Sequence, residues 1–252
     1  MSENADKFTG RSEDYVKYRP SYPDALLEAI SDRCPLRAGT MVADVGAGTG
    51  IFSEALLERG CTVLSVEPNA DMRNAASDYL RKFGNALVLP GTGEATGLVP
   101  QSVDLVTVAQ AFHWMSPSDT RTEFSRILKP GGWVALLWNE RDVTTPFGAA
   151  YEKALTVCPT HSTHSHSTIV GAGQLEAFFE PSGCELLTFK NPQQLSLQEL
   201  LGRLRSTSYA PAPDDPLYEP LIENVTDIFN DHADGGEITF AYDTRLYIGQ
   251  LA

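Results

Sequence analysis

No run of 18 or more uninterrupted apolar residues occurs in this 252-residue chain, so no segment has the length to cross a bilayer as a helix. Cysteine is scarce. Cys34, Cys61, Cys158 and Cys184 lie far apart without a C-x-x-C pair, which argues against a disulfide framework or a cysteine-rich zinc site and suits reduced structural thiols. Basic charge is also short: 19 Lys and Arg against 33 Asp and Glu leave a net charge of −14, a field that repels polyphosphates and sets the chain against DNA or RNA as substrate. The opening Met1-Ser2-Glu3-Asn4-Ala5-Asp6-Lys7 has neither the apolar stretch of a secretory signal nor the arginines of a transit peptide, so the expectation is a cytoplasmic protein. There is no internal repeat. The one low-complexity tract is the His/Ser/Thr run at 160–168.

What remains is ordinary globular composition, 42% hydrophobic and 21% charged, at a length that suits one α/β domain over 1–252. Before residue 40 an arm leads into a helix at Ala25–Ile30 through Ser21-Tyr22-Pro23-Asp24. Apolar and helical segments then alternate. Strands are expected at Met41–Val45, Thr62–Val66, Ala86–Leu89, Val103–Ala109 and Trp133–Trp138, and helices at Ile51–Arg59, Ala70–Phe83 and Thr120–Leu128. Such alternation with continuously apolar strands predicts a parallel sheet covered by helices on both faces. Beyond Asn139 the rhythm changes. Helices are expected at Pro146–Val157 and Gln174–Phe179, a loop at Pro159–Gly173, a strand at Glu185–Phe189, and a helical pair at Leu197–Arg205 and Leu217–Asp231 inserted ahead of one long last strand, Ile238–Ile248. The fold class is therefore a Rossmann-like three-layer α/β sandwich with seven strands, mostly parallel, the last antiparallel, and a helical insertion at about 195–232. Residues 40–139 form the cofactor half and 140–252 the acceptor half.

The first expected strand runs into Asp44-Val45-Gly46-Ala47-Gly48-Thr49-Gly50 and then directly into a helix. Glycines at such a mouth let the backbone turn sharply and come close to a ligand. A dinucleotide fingerprint requires glycine where Ile51 stands, which counts against a dehydrogenase; a phosphate-binding P-loop requires a lysine, and none occurs between Lys17 and Lys82. The acidic Asp44 suits a cationic ligand end. Glu67, at the tip of the second strand ahead of Pro68, is placed to accept ribose hydroxyls. An adenosine without phosphates, carrying positive charge, meets these requirements: S-adenosylmethionine.

On these residues the chain resembles the class I methyltransferases, in particular the branch similar to trans-aconitate methyltransferases. The resemblance implies that Asp44, Gly46, Ala47, Gly48 and Gly50 surround the methionyl group, that Glu67 with Pro68 and Met72 holds the ribose side, and that Thr92, Gly93 and Glu94 of Gly91-Thr92-Gly93-Glu94-Ala95 hold adenine. Most members have Asp-Ala at the positions of Thr92-Gly93. Gln110, Ala111 and Phe112 match the segment under the methionyl arm, and Leu128-Lys129-Pro130-Gly131-Gly132 matches the family's turn before the fifth strand. The implied activity is methyl transfer to a small-molecule acceptor bearing a carboxylate or hydroxyl, by a monomer or homodimer. A non-catalytic cofactor-binding scaffold that kept the fold is the alternative.

Other residues carry two readings each. The arm Tyr15–Pro23 either packs its aromatics on the sheet edge or, as in similar enzymes, covers the cofactor, with Tyr18 over the sulfonium and Arg19 on the carboxylate. His113, beside Phe112 and Trp114, is either a packed ring or the general base that a hydroxyl or carbon acceptor would need. Trp114, Trp138, Asn139, Arg141 and Tyr209 are the candidate acceptor-pocket residues, with Arg141 and Arg205 as anchors for an anion. The tract His161-Ser162-Thr163-His164-Ser165-His166 offers three imidazoles but no completing carboxylate or cysteine, so no metal is expected.

Overall fold

The computed structural model describes residues 19–159, 161, 172–207 and 209–251. Its elements in chain order are α1 (Asp24–Ser31), β1 (Met41–Val45), α2 (Ile51–Glu58), β2 (Thr62–Val66), α3 (Ala70–Leu80), β3 (Ala86–Leu89), β4 (Val103–Ala109), α4 (Pro117–Ile127) and β5 (Leu128–Arg141). There follow α5 (Pro146–Leu155), α6 (Ala172–Phe179), β6 (Cys184–Lys190), β7 (Gln193–Leu195), α7 (Leu197–Arg205), α8 (Tyr218–His232), β8 (Ile238–Phe240) and β9 (Tyr242–Gly249). Seven strands form one sheet in the order β3-β2-β1-β4-β5-β9-β6. The pairs among β1 to β5 are parallel, whereas β9 is antiparallel to both of its neighbours. This is the expected Rossmann-like sheet, mostly parallel, with an antiparallel final strand.

Alternation along the central strands sends side chains to two cores. Leu137 of β5 joins Leu27 of α1 and Phe52 and Leu56 of α2 on one face, while Leu136 and Trp138 join Phe124 of α4 and Phe178 of α6 on the other. Local signals set the helix starts. The Asn69 side chain accepts from Met72 N–H to begin α3, Thr145 does the same for Gly148 in α5, and Ser196 with Glu199 forms a full capping box on α7.

A third core lies outside the sheet. Phe147, Tyr151 and Leu155 of α5, Leu200 and Leu204 of α7, Val225 and Phe229 of α8, and Ile238 and Phe240 of β8 pack together as a cap. This corrects the expectation of one unbroken strand over Ile238–Ile248: the run breaks at Ala241, and Ile238–Phe240 pairs instead with Gln193–Leu195 in a separate two-stranded sheet. The physical reason is competition between cores, since Ile238, Phe240 and Leu195 turn into the cap while Leu246 and Ile248 stay in the sheet. Backbone groups at the break are satisfied by Asp142 N–H donating to Ala241 O and Asn191 N–H donating to Tyr242 O.

Candidate cofactor and acceptor site

The tips of β1, β2 and β4 meet at one end of the sheet, where parallel α/β folds bind ligands. Between β1 and α2 the loop folds back on β2: Gly46 and Ala47 N–H both donate to Val66 O, at 2.8 and 3.2 Å. Gly46 has φ +71, and a Cβ there would stand 2.5 Å from the Ala111 Cβ, so both conformation and space demand glycine. Gly48 differs: its φ is +57, but nothing lies within 4 Å of where a Cβ would be, so its outer face is open. Gly50 begins α2.

Glu67 reaches the same loop. Gly48 N–H donates to its Oε2 at 3.0 Å and Asn69 N–H to its Oε1 at 2.9 Å. The carboxylate is thereby fixed against the glycine turn while each oxygen keeps lone-pair capacity for a further donor. Burial raises its pKa, against the pull of those two N–H groups and Arg73. Thr49 Oγ1, next along the turn after Gly48, is buried with no hydrogen-bond partner among the described residues. An open glycine face, a two-oxygen acceptor and an orphaned hydroxyl in one turn fit a hydroxyl-rich, phosphate-free ligand, which is the test S-adenosylmethionine must pass.

Asp44 lies behind the loop rather than on it. Its side chain is wholly buried, accepting from Ser53 Oγ at 2.6 Å and Thr107 Oγ1 at 2.8 Å. Burial is the dominant influence and pushes its pKa up to about 6, although both hydroxyls oppose it. Any action on a cationic ligand end is therefore through its field. Pro68 is exposed, and Met72 is buried in the first turn of α3, linked to Glu67 through Asn69.

At the tip of β4, Gln110 takes φ 60, an uncommon conformation for a non-glycine residue, while its N–H donates to Leu137 O. It turns the chain so that Ala111 faces Gly46. A short 3₁₀ turn, Phe112–Trp114, follows; the His113 and Trp114 rings lie 4.6 Å apart, tilted by 47°. The 91–96 segment closes the other side. Thr92 is exposed, and Gly93 sits against Met115, whose Sδ would be 2.5 Å from an added Cβ. Glu94 does not face a ligand with both oxygens, because Ser116 N–H donates to its Oε1 at 2.7 Å.

Two expected site residues lie elsewhere. Phe112 and Trp138 are core residues on the α4 side, packed edge to face with each other, with Phe178 against Phe112 and Tyr247 against Trp138. Both rings are buried in that core, the Trp138 Nε1 meeting no hydrogen-bond partner among the described residues. Asn139 is a clasp. Its Oδ1 accepts from Thr244 Oγ1 and Asn191 Nδ2, and its Nδ2 donates to Ser21 O on the arm. The arm itself crosses from α2, where Tyr22 packs on Phe52, to the end of α7, where Arg19 Nη2 donates to Ser206 O at 2.9 Å. Tyr18 lies outside the described residues, as do His164 and His166.

Arg141 and Tyr209 do come together, in the cap. Arg141 donates through Nε and Nη2 to Glu152 Oε2 and through Nη1 to Tyr209 Oη at 2.8 Å. The guanidinium is thus matched by a carboxylate rather than standing as an open anion anchor. Burial opposes its charge, but Tyr209 and Glu152 outweigh burial and hold its pKa above the usual value. Among the described residues no group of three or more His, Cys, Asp and Glu is arranged for a metal ion.

Several contributors gave no motif signal. Ser53, Thr107 and Asn69 lock the loop and its two acids. Glu123 ties down the 91–96 segment by accepting from Thr96 N–H at 2.8 Å and from Thr96 Oγ1. Arg126 above all, with those Thr96 bonds, brings the Glu123 pKa down to about 2 against burial. Only the helical spacing of Glu123 and Arg126 hinted at this pair.

Residues 43–136 match the family model of the methyltransferase domain. An uncharacterized methyltransferase of Mycobacterium tuberculosis (strain ATCC 25618 / H37Rv) is 43% identical over 129 residues, covering 51% of this chain and 50% of the relative. The chain thus spans about half the length of such curated relatives. A solved structure named for a type II methyltransferase from Anaeromyxobacter dehalogenans superposes with a TM-score of 0.67 at 21% identity, covering 92% of this chain and 97% of the other. A phosphoethanolamine N-methyltransferase 2 of Haemonchus contortus, solved with phosphomonomethylethanolamine and S-adenosylhomocysteine, gives a TM-score of 0.58 at 15% identity, over 95% of this chain and 56% of that one. The fold is that of the methyltransferases.

Proposed function

We propose that the chain is an S-adenosylmethionine-dependent methyltransferase acting on a small molecule that bears a hydroxyl or carboxylate. The observation that carries the reading is Glu67, fixed by Gly48 N–H at the open face of the glycine turn within the stretch that matches the methyltransferase domain. The cofactor would bring a methyl group activated on a positively charged sulfur. Glu67 would accept the ribose hydroxyls, the 46–50 loop would carry the methionyl part, and the 91–95 segment would hold the adenine. Asp44, ionised above about pH 6, supplies a buried negative charge behind the loop that favours a cation.

The protein's task in such a displacement is alignment and exclusion of water. The arm and the cap serve that task, the arm being pinned by Asn139, Asn191 and Arg19. His113 and Trp114, beyond the β4 tip, are the residues nearest in sequence to the transfer face, and His113 is the candidate base. The net charge of −14 supports a small-molecule acceptor over a nucleic acid, and four unbridged cysteines support a cytoplasmic setting. A single acting unit, as monomer or homodimer, completes the reading.

Incubating the protein with methyl-labelled S-adenosylmethionine and a metabolite extract tests it. Transfer of label to a small molecule, with release of S-adenosylhomocysteine, is expected. Cofactor binding without any transfer would favour the non-catalytic scaffold.

A further inference from the structure

The His/Ser/Thr tract plays no part in the site as built so far, yet its first histidine is placed with care. His161 is buried, 5% exposed, and its Nε2 lies 2.6 Å from Glu152 Oε1. Its ring meets Tyr209 edge to face at 4.9 Å. The other oxygen of Glu152 binds Arg141, which in turn donates to Tyr209 Oη. Burial works to raise the Glu152 pKa, but the His161 hydrogen bond and the Arg141 charge outweigh it and bring it to about 2. Glu152 is therefore a carboxylate with one oxygen for each neighbour.

A ring nitrogen that faces a carboxylate carries the hydrogen. In the neutral ring this leaves Nδ1 as a bare acceptor, the tautomer logic by which a carboxylate fixes an imidazole. Nδ1 is buried and, among the described residues, has no hydrogen-bond partner. Buried acceptors are normally satisfied, so one held in a fixed tautomer is available to a donor brought by a ligand. The surroundings select the donor. An ammonium would be repelled by Arg141, and a carboxylate would meet the charge of Glu152 and find no hydrogen at Nδ1. A neutral hydroxyl has neither conflict.

We propose that His161 is a binding subsite for a hydroxyl group of the methyl acceptor, with Glu152 as the positioning residue that fixes its tautomer. The proposal rests on the methyl-transfer reading and extends it to the cap, which the arm joins to α2 through Arg19 and Tyr22.

The test has two arms. In the first, long-range nitrogen–proton NMR on histidine-labelled protein, with His161 assigned by H161Q, reads the ring directly. Expected are a protonated Nε2 and a bare Nδ1, and E152Q should mix the two tautomers; a protonated Nδ1 in the unaltered protein overturns the proposal. In the second, label from S-adenosylmethionine is followed into a metabolite extract. The labelled product, identified by mass spectrometry, should carry a free hydroxyl or a methyl ether. H161Q, which keeps a group toward Glu152 but none at Nδ1, should raise the acceptor KM at least tenfold while cofactor affinity stays within twofold. H161N, which returns an amide oxygen near the Nδ1 position, should recover part of that loss. A labelled product with neither a free hydroxyl nor a methyl ether, or H161Q kinetics equal to those of the unaltered protein, overturns the proposal and leaves methyl transfer standing. No label transfer at all overturns the methyl-transfer reading itself, and the proposal with it.

Discussion

The cofactor end of the sheet and the helical cap are built by opposite means. At the sheet end backbone groups hold the turn in place: Gly46 and Ala47 N–H donate to Val66 O, and Gly48 and Asn69 N–H to Glu67. In the cap, side chains do it, through an Arg141–Glu152–His161 chain with Tyr209 set over its own apolar core. A backbone site tolerates little change of residue but gives a recognisable spacing. A side-chain network is free to draw partners from distant positions, and its spacing means little.

The largest effect should come from a side chain added to the loop. Gly46→Val combines a left-handed φ with a 2.5 Å approach to Ala111, and we expect a loss of about 3 kcal/mol of stability or more. Cofactor affinity should fall over a hundredfold, read by thermal melting and calorimetry. Gly48→Ala carries only the cost of a left-handed φ, about 1–2 kcal/mol, and should melt closer to the unaltered protein than Gly46→Val does, since nothing stands within 4 Å of its Cβ position.

Next in size is the cap. Arg141→Met removes one partner of a pair whose side chains are 23% and 28% exposed, so solvent screening limits the loss to about 1–2 kcal/mol. The melting temperature should fall by roughly 3–6 °C for a chain of this size. Cofactor affinity should stay within twofold; a large loss would mean that cap and loop are not separable.

The smallest expected effect is on pH. The Asp44 pKa in the folded protein is raised to about 6, so its negative charge is present above that value and lost below it. Affinity for a cationic ligand should therefore fall as pH drops through 6, by about three- to tenfold between pH 7.5 and 5. Asp44→Asn should flatten the profile. The same group acts oppositely on stability: burying its charge costs the fold above pH 6, so relative to the Asn variant the unaltered protein should gain stability as pH falls from about 6 toward 4.

The same contrast explains what could be read from the sequence. The limits of β1, β2, β3 and β4 coincide with those expected, because each is a short run rich in apolar residues; β1 and β4 are buried along most of their length, whereas the edge strand β3 is partly exposed. Glu67 was legible because it ends such a strand. Gln193–Leu195 was not, since three residues with a single buried side chain have no period, and Ile238–Ile248 alternates so evenly that its change of core at Ala241 leaves no trace. Trp138 illustrates the limit at side-chain level: its place at the end of β5 was readable, but which face it takes depends on Phe112 and Tyr247, far away in sequence. Glu152 and His161 needed the fold to bring them together.

The central claim is that the 44–50 loop and Glu67 bind an adenosyl cation without phosphates. Calorimetric titration with S-adenosylmethionine and, separately, with NAD tests it most directly, using the unaltered protein and Glu67→Gln. The account predicts saturable one-site binding of S-adenosylmethionine, weakened about thirtyfold or more in the variant by loss of about 2 kcal/mol of hydrogen bonding to a charged acceptor, and no heat from NAD. Binding of NAD in place of S-adenosylmethionine, or affinity indifferent to Glu67, would contradict it.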